Sequence, residues 1–109
     1  MIQFRADDRV LLLAIPPTTE LTNIARVLMN GVLVGLGDNH EVRAACESMA
    51  GFENVMFIEA PPDRIPWRAA YFTKIIVPPQ LEALLPHAAA ELHRVLAPGG
   101  QIVRTTANV

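Results

Sequence analysis

The sequence predicts an α/β domain built on a five-stranded, mainly parallel sheet. Three observations lead there. Short apolar runs recur along the chain, and the first two do not alternate with polar residues, as suits strands covered on both faces. Stretches with apolar residues at helical spacing separate most of these runs. Proline and glycine close almost every segment, which is how element boundaries are punctuated.

The first run is Val10 to Ile15, stopped by Pro16-Pro17. Thr18 or Thr19 then offers a helix N-cap, and Leu21, Ile24, Ala25 and Leu28 follow on one helical face with Gly31 as the stop. Val32 to Leu36 is the second strand. Asp38 and Glu41 have the spacing of a capping box, with Asn39 as a rival cap. Val42, Ala45, Cys46 and Met49 line the next helix, and Gly51 ends it. That stripe makes Cys46 a buried core residue rather than a nucleophile.

Asn54 to Ile58 is the third strand, and Glu59 to Arg68 is a proline-rich polar loop. Tyr71 to Val77 is the fourth strand, closed by Pro78-Pro79. The apolar stripe Leu81, Leu84, Leu85, Ala88, Ala89, Leu92, Val95 and Leu96 is interrupted by Pro86. Proline suits a first helical turn, so a short helical turn precedes a main helix starting near Pro86. Gly99-Gly100 ends that helix, and Gln101 to Thr105 is the fifth strand. Alternating strands and helices with buried strands imply a doubly wound, Rossmann-like sheet in the order 3-2-1-4-5. Its ligand crevice would lie at the carboxyl ends of strands one and four.

The bulk properties narrow the function. The length of 109 residues suggests one domain spanning 1–109. Hydrophobic residues make up 51% and charged residues only 18%, so some apolar surface is expected to meet another chain. The net charge is -2, and Lys74 is the single lysine. No basic tract points to nucleic acid or to an anionic membrane. One cysteine excludes an internal disulfide and fits the cytoplasm, and the N-terminus has no signal-peptide pattern. His40, His87 and His93 have no ligand-like spacing, so no metal is expected. Trp67 and Tyr71 are read as packing or dimer contacts ahead of ligand stacking.

The run Glu91-Leu92-His93-Arg94-Val95-Leu96-Ala97-Pro98-Gly99-Gly100 is the most distinctive segment. It resembles the "E-x-x-R-V-L-x-P-G-G" passage before the fifth strand of class I S-adenosylmethionine (SAM)-dependent methyltransferases. Val34-Gly35-Leu36-Gly37-Asp38 and Ile65-Pro66-Trp67…Phe72…Ile75-Ile76-Val77 resemble two further stretches of that family. The likeness runs from about Arg9 to Thr105.

The positions that bind SAM in the family depart from its pattern. The acid of strand one is Leu12 here, and the glycine positions hold Ala14, Pro16 and Thr18. Proline has a fixed φ and no N–H, so it can neither copy the tight glycine turn nor donate to a ligand. The ribose-binding acid of strand two falls on Gly37, with Asp38 beside it. The adenine-contacting acid falls near Pro61, flanked by Glu59 and Asp63, and the residue after strand four is Pro78. Glu20 at the first helix would repel the carboxylate of a methionine moiety.

Family members also continue past strand five with a helix and an antiparallel strand pair. Without that pair the strand-five edge would be bare, and a second copy of the chain is the simplest cover. The resemblance therefore implies a degenerate, non-catalytic methyltransferase-like domain, without cofactor, acting as a homodimer or through a protein partner. Two alternatives stand beside it. One is a genuine SAM-dependent methyltransferase whose rebuilt site draws on Thr18, Asp38, Asn39 and Glu59. The other is binding of a different small ligand in the remodelled crevice.

Overall fold

The computed structural model describes residues 3–104. The elements follow the predicted order: β1 (Arg9–Leu12), α1 (Thr18–Val27), β2 (Val32–Gly37), α2 (Asn39–Ser48), β3 (Val55–Glu59) and β4 (Phe72–Val77). A 3-10 helix (Pro79–Leu84), α3 (Leu85–Val95) and β5 (Leu96–Arg104) complete it. The strands form one sheet in the order β3-β2-β1-β4-β5, and every adjacent pair is parallel.

The non-alternating strands are buried on both faces. In β1, Val10 and Leu12 join a core with Leu21, Ala25 and Leu28 of the α1 region and Met49 after α2. Leu11 and Leu13 point the other way, into a core with Ala88, Leu92 and Val95 of α3 and Ile65 of the long loop. Leu33 and Val34 divide β2 in the same manner. Leu11, Val34 and Ile75 are completely buried. Truncating such a leucine or isoleucine to alanine costs about 2–5 kcal/mol.

Several boundaries differ from the sequence reading, each for a physical reason. Regular β1 ends at Leu12, with Leu13 N–H still donating to Ile76 O at 3.2 Å. The chain then turns, and Ile15 packs back over β2. Pro17 occupies the N-cap of α1 with no side-chain cap, so neither Thr18 nor Thr19 caps it. Helix α1 stops at Val27, and Asn54 Nδ2 donates to the carbonyls of Ala25 and Leu28 at 3.0 and 2.8 Å. Gly31 serves close approach instead: a Cβ there would stand 2.0 Å from Asp8 O.

Cys46 is exposed, not buried. Met49 is buried at the end of α2, where the interior of the helix buries only Ala45, leaving the Cys46 shoulder to solvent. Pro86 sits in the first turn of α3, as expected. The Pro-Gly-Gly segment does not end that helix. Leu96 is already extended at φ -78 and ψ 128 and pairs with Phe72, while the next paired residues are Lys74 and Gln101. Ala97 to Gly100 therefore bulge out of β5 opposite Thr73 alone. Gly99, at φ +79, supplies the left-handed residue that the excursion needs. Thr105, assigned above to the fifth strand, lies outside the described residues.

Candidate functional site

A crevice of about 670 Å³ opens at the carboxyl ends of the strands. Leu13 and Ala14 after β1, Leu36 and Gly37 at the end of β2 with Asp38 after them, and Glu59 at the end of β3 with Ala60 to Pro62 after it line it, with Gln80 and Leu81 of the 3-10 helix opposite. This is where a doubly wound sheet presents a ligand, and its volume is in the range of small-molecule sites.

Of the residues the sequence singled out, Asp38 and Glu59 meet in this crevice. Thr18 lines a separate depression with Pro16 and Pro17, and Asn39 lines neither. Glu41 borders both spaces. The sequence marks Glu41 only as the partner of the capping box; its place three residues after Asp38 also turns it toward the crevice.

Asp38 and Glu41 are committed to each other's backbone. Glu41 N–H donates to Asp38 Oδ1 at 2.8 Å, and Asp38 N–H donates to Glu41 Oε1 at 2.9 Å. The capping box inferred from the spacing is thus complete. Both side chains still present a free carboxylate oxygen, and the rim is acidic.

Gly37 stands where the family resemblance places the ribose acid. A Cβ there would lie 2.9 Å from Ile15 Cδ1, 3.1 Å from Glu41 Cβ and 3.2 Å from Glu41 Oε1. A Cβ on Gly35 would meet the Phe57 ring at 3.0 Å and Ile15 Cγ1 at 3.4 Å. The Ile15 side chain therefore lies along both glycines of β2, beside the depression it lines with Pro16, Pro17 and Thr18. At the α1 N-terminus the N-cap is Pro17, which has no N–H and no capping side chain.

The wall made by the β3–β4 loop is clasped to α3. Arg94 donates from Nη1 to Trp67 O and from Nη2 to Ile65 O, both at 2.8 Å. Glu91 accepts Ile65 N–H at 2.6 Å and Arg94 Nε at 2.7 Å. The Arg94 hydrogen bond holds the Glu91 carboxyl below the ordinary carboxylate range against the opposing effect of burial, and Ile65 N–H adds to it. Glu91 in turn raises Arg94. The two most distinctive polar residues of the α3 segment thus fasten a loop rather than touch a ligand.

Among the described residues no cluster of three His, Cys, Asp or Glu side chains has metal-site geometry. No helix there is long and apolar enough to cross a membrane.

No protein-family model and no curated protein matches the chain. Solved structures do. A SAM-dependent methyltransferase from Aquifex aeolicus superposes with a TM-score of 0.81 at 18% identity, over 92% of this chain and 56% of its own. The YcgJ protein from Bacillus subtilis gives 0.78 at 21% identity, over 92% and 44%. A chain of the complex between the Haloferax volcanii Trm112 methyltransferase activator and its methyltransferase gives 0.76 at 20%, over 91% and 44%. The fold is class I methyltransferase-like. The chain spans about half the length of these structures, between 44% and 56%.

Proposed function

We propose that this chain is a degenerate, non-catalytic methyltransferase-like domain that acts through self-association or a protein partner. The packing of Ile15 against Gly37 carries the reading. A SAM site of the family kind needs an open glycine turn after β1 and an acid at the end of β2. Here a proline pair replaces the turn, and the space beside the acid position is filled by an aliphatic side chain. Self-association is supported by the exposed Met29, Met56 and Val27. Partner binding is supported by the structural neighbour solved with a protein activator.

A second reading rests on the crevice itself. Asp38, Glu41 and Glu59 converge on a cavity of ligand size, and a structural neighbour is a SAM-dependent methyltransferase. Under that reading SAM binds in a rebuilt site, with Asp38 and Glu59 receiving the hydroxyl and amino groups of its nucleoside.

Native mass spectrometry with and without SAM, together with a thermal shift titration, separates the two. The non-catalytic reading expects no adduct, no SAM-linked rise in Tm and a Tm that increases with protein concentration. A stoichiometric SAM adduct would establish the second reading.

A further inference from the structure

The amino-terminal end of the sheet, opposite the crevice, carries arginines without a carboxylate partner among the described residues, one of which, Arg9, donates from Nε to Tyr71 O. Tyr71 enters β4 there. Its N–H donates to Val95 O at 2.9 Å, and the preceding Ala70 N–H donates to Arg94 O at 2.8 Å. Both acceptors are end-of-helix carbonyls of α3. To make this junction Ala70 takes φ 56, the left-handed region, which costs a residue with a Cβ about 1–2 kcal/mol. Trp67 and Phe72 pack on Tyr71, with ring centroids 5.4 and 5.0 Å away.

Two guanidinium groups lie over the ring so fixed. Arg9 Cζ is 5.1 Å and Arg68 Cζ 4.7 Å from its centroid, so the two charges stand at most about 10 Å apart. At that limit the spacing exceeds the Debye length of about 8 Å at physiological salt, so screening leaves only a small repulsive cost. The Tyr71 ring offsets part of that cost. Neither arginine, nor Arg5 in the adjoining cavity of about 300 Å³, has a carboxylate partner among the described residues. Lys74 in the same cavity is neutralised by Asp8 at 2.8 Å. With Asp7 on the cavity rim set against the arginines, a local surplus of positive charge still stands beside the Tyr71 ring, on a chain of net charge -2.

We propose that this edge docks an acidic segment of a partner protein, whose carboxylates are received by Arg9 and Arg68 over Tyr71. The proposal rests on the partner-acting reading above and specifies the partner's chemistry. Guanidinium forks bind carboxylates bidentately. Charges separated by up to about 10 Å suit successive same-side carboxylates of an extended segment, spaced about 7 Å, better than one phosphate.

The test is fluorescence anisotropy of a labelled octaglutamate peptide on the full chain, at about 0.05 M and about 0.3 M salt. Saturable binding, weaker at the higher salt, is expected. Arg68→Gln should weaken it about five-fold, while Arg43→Gln, on exposed α2 surface, should leave it unchanged. Arg68 makes no hydrogen bond within the described residues, so its variant folds, as circular dichroism will confirm. Absence of peptide binding, or equal binding by Arg68→Gln, overturns the proposal. Tighter binding of an oligophosphate with the same arginine dependence would assign the edge to nucleic acid instead. Concentration-dependent self-association lost in Arg68→Gln would assign it to a second copy. A SAM adduct with intact peptide binding would remove the non-catalytic reading and leave this site standing.

Discussion

The Cδ1 atom of Ile15 stands 2.9 Å from where a Cβ on Gly37 would be. A side chain at that position requires the end of the Ile15 side chain to give way and crowds Glu41 Cβ at 3.1 Å. Gly37→Asp is therefore expected to destabilise the fold by about 1–3 kcal/mol through overpacking, and to confer no SAM binding. Gly37→Asp with Ile15→Gly should recover part of that loss, because the clash is removed. The double-mutant cycle by urea denaturation reads the coupling directly. Additive effects would show that Ile15 does not pack on Gly37 in solution.

The clasp on the β3–β4 loop makes a prediction about motion. Arg94 reaches two carbonyls, of Ile65 and Trp67, with separate nitrogens of one planar group. Lysine has one ammonium and cannot reproduce that fork. Arg94→Lys should speed amide hydrogen exchange at Ile65 and Trp67, while the buried amides of β1 and β4 keep their protection. Ile65→Ala, which empties a buried site in the core beneath the loop, should cost about 2–5 kcal/mol. Unchanged exchange in Arg94→Lys would mean the loop is held by Ile65 packing alone.

What the sequence discloses here follows the range of each interaction. The strands are readable because burial on both faces leaves unbroken apolar runs, as in Val32 to Leu36. The Asp38–Glu41 box is readable because it closes within one helical turn. The Glu91–Arg94 spacing is also visible, but its loop partners lie up to 29 residues away, so its role as a clasp is not. Asp8 looks like a solvent-facing acid until Lys74, 66 residues on, is folded against it. The exposed Cys46 and the bulge at Ala97 to Gly100 escape a periodic reading for another reason. One sits on the shoulder of an apolar stripe, and the other borrows a helix-stop signature for an excursion within a strand. Thr18 fails to join Asp38 and Glu59 because Glu41 stands between the two depressions, which no spacing rule reveals.

Acid should unfold this protein through two carboxylates. Burial works against the Asp8 charge, but hydrogen bonds from Lys74, Arg5 N–H and Thr73 together outweigh it and hold its pKa below the ordinary value. Glu91 is lowered chiefly by Arg94. In the unfolded chain both titrate near about pH 4. Their contribution is therefore present above that range and lost as pH falls through the lower folded values. Tm should be flat near neutrality and fall below about pH 4. Asp8→Asn removes one of the two groups, so its acid slope should be shallower. At neutral pH the same variant loses a charge-assisted hydrogen bond from Lys74 and should be about 2 kcal/mol less stable. An acid slope identical to that of the parent would show that Asp8 is not among the titrating groups.

Ala70 is the one described non-glycine residue with positive φ. Its Cβ gains nothing in that conformation, since the side chain is exposed. The backbone is held there from outside, by the bonds of Ala70 and Tyr71 N–H to the last carbonyls of α3. Glycine adopts this region without the steric penalty. Ala70→Gly should therefore raise stability by up to about 1 kcal/mol, the relief of strain being partly offset by the greater freedom of glycine in the unfolded chain. Ala70→Val, β-branched and bulky, should lower stability and disturb the ring stack, seen as a shift in Trp67 fluorescence. A loss of stability in Ala70→Gly would show that the chain leaves the left-handed conformation in solution, and with it the fixed seating of Tyr71 beneath Arg9 and Arg68.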